Sequence, residues 1–306
     1  MLDNVMTVGS YVIILFVIIG VGFASNKLKI FSSKGIKELT TFVLYVVTPC
    51  TLINSFQREF DKEMFIGLGI TALAAFLSHI ITIIIGHLVI HNKDEVREKT
   101  LIFGSVFSNC GYMSLPIQSA VIGPEGVFYG AIYIAVFQLM TWTYGVVEMT
   151  RDYKNISLKK IFINPGVIGT AIGFIIFLFS IKVPFVIKEP ISFFAALNTP
   201  LPMLVVGYRL ADAKLNIKGF DAWISMIIRL VVSPVIMLLG LYLCGIRGAV
   251  LVACVIAASA PVAANTTMFS EKFDGDTGLA SAIVSLTTLL SVITMPVIVG
   301  IATMLK

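Results

Sequence analysis

Charge is scarce in this 306-residue chain, because Asp, Glu, Lys and Arg together make up 13% of it while hydrophobic residues make up 58%. The mean hydropathy of +0.97 lies far above that of a soluble globular domain of this length. The sequence therefore predicts an all-α integral membrane protein embedded in a lipid bilayer. The net charge of +5 comes from lysines scattered through the loops, without the basic stripe that a nucleic-acid partner would require.

Patterns of catalysis and of metal binding are also missing. The four cysteines form no CxxC pair and none lies near a histidine, so we interpret them as small packing residues. There is no catalytic triad, phosphate loop or pair of carboxylates, which favours a protein that is not an enzyme and that uses no cofactor or metal. The 17 acidic residues fall in loops or at the ends of apolar stretches. Because cation carriers usually keep a carboxylate at mid-membrane depth, this distribution favours an anionic or neutral substrate.

Ten apolar stretches are long enough to cross a bilayer. They lie at about 8–25, 36–56, 63–90, 100–120, 125–148, 164–181, 191–211, 219–243, 248–270 and 277–304. Most of the 22 lysines and arginines fall in the odd-numbered loops, for example between Lys27 and Lys37 and between Lys93 and Lys99. The positive-inside rule then predicts that both termini lie outside.

The ten predicted spans divide into two sets of five with matching landmarks. Pro49 in span 2 corresponds to Pro200 in span 7, and Gly123 before span 5 corresponds to Gly275 before span 10 at nearly the same offset. Because each half has an odd number of spans, the second half is inverted relative to the first. The predicted repeats are residues 1–150 and 151–306.

Two polar segments that contain proline, residues 108–116 and 258–267, interrupt spans 4 and 9. In lipid, such a break persists only where protein or a water-lined cavity satisfies the freed backbone groups. Inversion brings the two breaks together near the middle of the bilayer, which indicates the binding site of a transporter. The N-terminal ends of the second half-helices would carry partial positive charge and suit an anionic group.

A few ionisable residues lie within the spans. Arg229 lies just beyond Trp223, and we interpret it as snorkelling to the headgroups, with a role towards the substrate or a partner charge as the alternative. His79, His87 and His91 share roughly one helix face. They either pack as polar residues against another helix or sense protons, which a histidine can do near neutral pH.

Four motifs give the chain a family resemblance. They are Asn109…Gly111…Leu115-Pro116, Pro261-Val262-Ala263-Ala264-Asn265, Asn164-Pro165-Gly166 and Asn198-Thr199-Pro200-Leu201. Through them the chain resembles the auxin efflux carrier family, in a bacterial form similar to the plant PIN transporters, over essentially its whole length. The resemblance implies the ten-helix fold of bile-acid symporters and sodium/proton antiporters, with a scaffold domain, a transport domain and two crossing broken helices. It also implies a homodimer in the inner (plasma) membrane.

The resemblance further implies that substrate binds beside the crossover of spans 4 and 9 and moves by alternating access. In plant relatives, the crossover prolines and nearby asparagines shape a site for a carboxylate. The substrate-binding residues implied here are Asn109, Gly111, Pro116, Asn198, Pro261 and Asn265. The chain has only a short central loop, so the regulation that this loop carries in many plant members is not implied. It also has the bulky Tyr112 where small residues are common, so auxin itself is not the expected substrate.

Three hypotheses about function follow. The first is a secondary-active transporter of small organic anions, carboxylates such as malate or indole carboxylates. The second is a sodium-coupled carrier of a neutral metabolite, and the third is a membrane sensor that binds without transport. Coupling to a cation or proton would use hydroxyl groups or a histidine, from the set Ser108, Ser114, Thr266, Thr267 and His79.

Overall fold

A computed structural model describes residues 2–156, 159, 162–212, 217 and 219–305. Regular structure in these residues is helical, and their one β-bridge is an isolated antiparallel pair, Ser108 with Val262. The prediction of an all-α chain is therefore confirmed for the described part. Predicted loop positions such as Lys160, Lys214 and Lys218 lie outside the described residues.

Thirteen longer helices follow one another along the described chain, and a single 3₁₀ turn, Tyr153–Asn155, lies between the sixth and the seventh. They are α1 (Leu2–Lys27), α2 (Ser33–Ser55), α3 (Lys62–Val89), α4 (Glu95–Val106), α5 (110–121), α6 (Pro124–Thr150), α7 (Pro165–Leu178), α8 (Phe185–Ala196), α9 (Pro200–Ala211), α10 (Phe220–Leu243), α11 (Gly248–Ser259), α12 (Asn265–Lys272) and α13 (Thr277–Met304). Helices α4 and α5 are the halves of predicted span 4, and α11 and α12 are the halves of predicted span 9.

Seven stretches of the described chain are long and apolar enough to cross a membrane: six single helices and α8 together with α9. The single helices are α1, α2, α3, α6, α10 and α13. Helices α7 and α11 are apolar but shorter. The chain is thus a multi-pass membrane protein. The count of ten spans, the inverted repeat with its division at residue 150 and the orientation of the termini stay predictions.

Five helices outside the crossover begin at a short polar side chain that caps them. Asp61, Asp94 and Asp276 accept hydrogen bonds from backbone N–H groups in the first turns of α3, α4 and α13. Asn164 caps α7 in the same way, and Ser32 caps α2. Such caps satisfy N–H groups that a helix leaves without partners, so these starts are encoded locally in the sequence.

Three prolines inside helices follow π turns rather than ending the helix. The π turns are Val43–Val47, which precedes Pro49, Cys110–Ser114, which precedes Pro116, and Ile228–Val232, which precedes Pro234. A proline has no N–H and clashes with the carbonyl four residues back, and one extra residue in the preceding turn relieves both problems. The break predicted at residues 108–116 is therefore shorter than expected: the chain is unwound at residues 107–109 and helical at residues 110–116.

Helices α1 and α9 approach each other very closely. A methyl group added at Gly207 would lie 1.9 Å from the carbonyl oxygen of Ile19, and one at Gly22 would lie 2.2 Å from that of Leu204. Small residues of this kind let membrane helices pack backbone against backbone. Helix α2 packs in turn against α7 and α8, while α3 and α6 pack against each other and against α11, one half of the second broken helix.

Candidate functional site

The breaks of the two interrupted helices meet and bind each other through the backbone. Asn109 N–H donates to the carbonyl of Pro261 at 2.8 Å, and Ala263 N–H donates to the carbonyl of Phe107 at 2.9 Å. This antiparallel pair surrounds the bridge between Ser108 and Val262. Each break thus supplies partners for polar groups that the other would leave unsatisfied in the membrane. We call residues 107–109 and 260–264 the crossover.

Two helices end at the crossover and two begin there. The helices that begin, α5 and α12, have Asn109 and Ala264 at their N-cap positions, and neither receives a side-chain cap. The starts of α3, α4, α7 and α13 are capped, whereas those of α6, α8, α9, α10 and α11 also have no side-chain cap. The first turns of α5 and α12 therefore keep backbone N–H groups that a ligand can use as donors.

The helices that end at the crossover, α4 and α11, are joined by one arginine. Arg229 lies in the π turn of α10 and is only 1% exposed. Its Nη1 donates to the carbonyl of Val106 at 2.8 Å. Its Nη2 donates to the hydroxyl of Ser233 at 2.8 Å and to the carbonyl of Ala258. The interpretation of Arg229 as snorkelling is therefore wrong, because the side chain turns inward and reaches the last turns of both half-helices.

A cavity lies between the crossover and helices α2, α6 and α7. It offers about 60 Å³ to the centres of water molecules, which is room for several waters or for a small polar group. Its polar lining consists of Thr48, Ser108, Asn109, Tyr112, Gln138, Asn164 and Asn265. Apolar walls come from residues such as Leu44, Ile134 and Phe137.

The polar atoms of this lining are poorly satisfied by the protein itself. Within the described part of the chain, the buried Thr48 Oγ1 and Gln138 Oε1 have no hydrogen-bond partner. Buried polar groups usually have one, so these atoms are suited to a ligand or to water. None of the lining residues carries a formal charge. The cavity can therefore bind polar or anionic groups through N–H and O–H donors.

Four of the predicted site residues line the cavity: Ser108, Asn109, Gly111 and Asn265. Asn109 is the N-cap residue of α5, and Asn265 is the first residue of α12. Gly111 lies in the first turn of α5, where an added methyl group would meet no atom within 4 Å. The uncapped starts of α5 and α12 thus border the same cavity.

The other predicted site residues within the two breaks lie outside the lining. Pro261 is buried and engaged through its carbonyl, and Pro116 is buried within α5. The hydroxyl of Ser114 donates to a carbonyl of α11 at 3.5 Å. Thr266 is fully buried and Thr267 is half-buried. Of the four hydroxyls predicted for a coupling cation, Ser108 alone is in the lining.

Asn198 and His79 also lie outside the lining. Asn198 is buried in the turn between α8 and α9, where its Oδ1 has no partner in the described chain. His79 is buried against the rings of Phe107 and Tyr133. Its Nδ1 lies 2.7 Å from the carbonyl of Ala75, which can only accept, so Nδ1 carries the hydrogen and Nε2 faces no partner.

One carboxylate is buried at a distance from this lining. Glu148, in the last turn of α6, lies 3.0 Å from Arg151 Nη1 and 3.2 Å from His87 Nε2. The hydroxyl of Tyr144 donates to it at 3.0 Å. Glu148 is thus paired at the end of a helix, in line with the expectation that acidic residues lie in loops or at the ends of the apolar stretches.

Thr48, Gln138 and Asn164 were not predicted as site residues. Asn164 carried a signal in the motif Asn164-Pro165-Gly166, where its Oδ1 caps α7 by accepting from Gly166 N–H at 2.9 Å. Its amide NH₂ group is therefore left for the cavity. Thr48 and Gln138 carried no comparable signal, because isolated polar residues in membrane helices usually bind a neighbouring helix.

Residues 7–155 and 147–299 match the family model described as Membrane transport protein. A protein of Methanocaldococcus jannaschii named "Uncharacterized transporter" is 24% identical over 293 residues, which cover 92% of this chain and 94% of the relative. A protein of Rhizobium meliloti named "Putative malonate transporter" is 25% identical over 298 residues, which cover 91% of each chain. An "Uncharacterized transporter" of Methanothermobacter thermautotrophicus is 21% identical over 290 residues.

Proposed function

The chain belongs to the membrane transport protein family, the auxin efflux carrier family that its motifs resemble, and we propose that it transports small organic anions, above all carboxylates, by secondary-active transport. The observation that carries this proposal is the pair of uncapped helix starts that border one uncharged polar cavity. Family and relatives point to a transporter rather than an enzyme.

Electrostatics favour an anion at this place. Each helix N-terminus carries about half an elementary positive charge, so two starts that face one cavity together approach the charge of one carboxylate with opposite sign. The donors required are backbone N–H groups of the first turns and the side-chain amides of Asn109, Asn265 and Asn164. In a low-dielectric setting, such fixed dipoles hold an anion without a lysine or arginine in contact with it.

Malonate is the first substrate to test, because one relative is named for its transport. In our proposal, one carboxylate binds between Asn109 and Asn265 and the rest of the molecule extends towards α2 and α7. Alternating access would follow if the crossover and its cavity move relative to α1, α2, α7 and α9. A homodimer, as the resemblance implies, stays a prediction.

The proposal is tested by uptake of labelled malonate, malate and indole-3-acetate into proteoliposomes that contain the purified full-length protein. We expect uptake of at least one carboxylate, and we expect Asn109→Ala and Asn265→Ala to reduce it about tenfold or more, since each loses an amide donor to a charged group. The matched control is Asn155→Ala, which removes an exposed asparagine outside the cavity. Uptake that both cavity variants retain would contradict the site.

Uptake, together with a measurement of melting temperature, separates this proposal from the sodium-coupled carrier and from the membrane sensor. Uptake of a neutral metabolite that requires sodium and ceases in choline would replace the anion proposal by a sodium-coupled carrier. Saturable binding of a carboxylate, seen as a rise in melting temperature without any flux, would replace it by a membrane sensor.

A further inference from the structure

Arg229 is a buried cation with no carboxylate beside it in the described chain. The structure gives it no ion pair, and its Nε has no hydrogen-bond partner there. A charged side chain at 1% exposure inside a membrane protein is costly, and it normally pairs with an opposite charge or with backbone carbonyls. For Arg229 the acceptors are the carbonyls of Val106 and Ala258 and the hydroxyl of Ser233.

These carbonyls belong to the C-terminal ends of two helices that point at one place. A helix C-terminus carries about half an elementary negative charge. Two such ends, those of α4 and α11, together approach the single positive charge of one guanidinium with opposite sign. The arrangement explains how Arg229 is tolerated without an acidic partner, and it leaves little negative charge at this side of the crossover.

Unwound carbonyls and half-helix C-terminal ends are also the groups that hold sodium in carriers with interrupted helices. At this crossover, two such carbonyls already bind the guanidinium of Arg229. The hydroxyls that could complete a sodium site are dispersed, because Ser108 lines the cavity while Ser114 bonds to α11. A sodium ion would have to displace a positive charge to reach these carbonyls.

We propose that Arg229 is a tethered cation, a positioning residue that takes the place of a coupling sodium ion at the crossover. It holds the ends of α4 and α11 together and cancels their negative potential, so that the positive ends of α5 and α12 determine the sign of the bound substrate. The claim about the sign of the substrate rests on the proposed function. The claim that Arg229 takes the place of sodium can be tested without a substrate. Transport is then independent of sodium.

The first test measures the melting temperature of the wild-type full-length protein in detergent, in sodium chloride or in choline chloride at equal ionic strength. We expect equal values, because the carbonyls that sodium would use are occupied. A saturable rise with sodium, as mass action requires of a bound ion, would overturn the proposal.

The second test removes the guanidinium. Arg229→Ala leaves a space that a free guanidinium ion can fill, whereas Arg229→Met fills it with a neutral chain of similar length. We expect both variants to melt about 5 °C or more below wild type, because buried carbonyls lose their partners. Millimolar guanidinium chloride should raise the melting temperature of the alanine variant saturably, but not that of the methionine variant. Absence of this rescue in folded Arg229→Ala would overturn the proposal.

Arg247→Ala is the matched control, since Arg247 also binds backbone carbonyls, that of Tyr242 in the last turn of α10 at 2.7 Å and that of Ile246 in the following loop at 2.9 Å, but is exposed. We expect a small shift and no response to guanidinium, and an equal response would overturn the assignment to the crossover. If the neutral Arg229 variants do not fold, Arg229→Lys keeps the charge. It should be folded, less stable than wild type and indifferent to sodium, and a sodium-dependent rise in its melting temperature would overturn the proposal.

The two proposals fail in different ways. If no carboxylate binds while the melting temperatures respond to guanidinium as described, the anion proposal fails and the tethered cation stands. If sodium stabilises the wild type while carboxylates still bind near Asn109 and Asn265, the tethered cation fails and the anion proposal stands.

Discussion

The two kinds of helix end at the crossover have opposite surroundings. The C-terminal ends of α4 and α11 bind Arg229, and the adjacent breaks exchange backbone hydrogen bonds between Asn109 and Pro261 and between Ala263 and Phe107. The N-terminal ends of α5 and α12 have no side-chain cap and border a cavity in which Thr48 Oγ1 and Gln138 Oε1 lack partners within the described chain. The difference indicates that one side of the crossover supplies stability while the other is kept available for a ligand.

The comparison predicts that substitutions on the C-terminal side reduce stability, whereas those on the N-terminal side reduce binding. The largest effect is expected for Arg229→Met, which leaves two buried carbonyls without a donor. At about 1–3 kcal/mol for each unsatisfied group, the loss of unfolding free energy should be about 2–6 kcal/mol. Denaturant titration of purified protein measures it. Arg247→Met, which changes an exposed helix-end arginine, should cost less than about 1 kcal/mol. Similar losses in both variants would contradict the special role of Arg229 in the stability of the C-terminal side.

The next largest effect is expected at Asn164, which lines the cavity on the N-terminal side of the crossover. Asn164→Asp retains an oxygen that can cap α7, but it replaces the amide NH₂ by a negative charge at the cavity. At about 6 Å and an effective dielectric constant of about 20, the repulsion of a bound carboxylate is close to 3 kcal/mol. Malonate affinity should therefore fall about 100-fold while the melting temperature stays near that of wild type.

Asn164→Ser is the control, since serine also caps a helix but adds no charge. It should reduce affinity much less than the aspartate variant does. Equal binding of the substrate by the aspartate variant and by wild type would identify a neutral substrate, or a substrate located elsewhere.

A smaller pair of effects is expected at two glycines, one on each side. A methyl group at Gly104, in α4, would lie 2.6 Å from Ile283 Cδ1, so Gly104→Ala should cost about 1–3 kcal/mol of stability with little change in affinity. A methyl group at Gly111 meets no atom within 4 Å, so Gly111→Ala should raise stability by up to about 1 kcal/mol. It should also alter malonate affinity, since Gly111 lines the cavity. Denaturant titration and malonate-binding assays on both variants check that the first loses stability but not affinity, and that the second changes in affinity without losing stability.

Much of this arrangement could be predicted from the sequence, because its signals are local. Polar residues such as Asn109 and Asn265 within long apolar stretches predict interrupted helices, and both line the cavity in the structure. The position of the first break could not be predicted from Pro116, because a π turn accommodates that proline and the chain unwinds at 107–109 instead. A proline can end a helix, or the turn before it can widen by one residue so that the helix continues, and the outcome depends on the packing around it.

The role of Arg229 could not be predicted for a related reason. Depth along a helix is readable from the distance to Trp223, but the direction in which a long side chain turns depends on the partners that other helices bring. Those partners, the carbonyls of Val106 and Ala258, are backbone atoms of distant segments and leave no trace in residue identity. Thr48 and Gln138 were missed for the same reason, since their place in the cavity depends on helix packing.

The smallest effect is expected at Asn198, which the family motif indicates as a contact but which lies in the turn between α8 and α9, outside the cavity lining. Its Oδ1 is buried without a partner in the described chain, so truncation removes an unsatisfied group rather than a bond. Asn198→Ala should therefore change unfolding free energy by less than about 1 kcal/mol and leave malonate affinity within about twofold of wild type. Thermal melts and malonate-binding titrations of Asn198→Ala, with Asn109→Ala measured in parallel, test this prediction. A loss of affinity as large as that of Asn109→Ala would mean that the substrate contacts α8–α9 in another conformation of the transporter, and that the binding region is wider than the two uncapped helix starts.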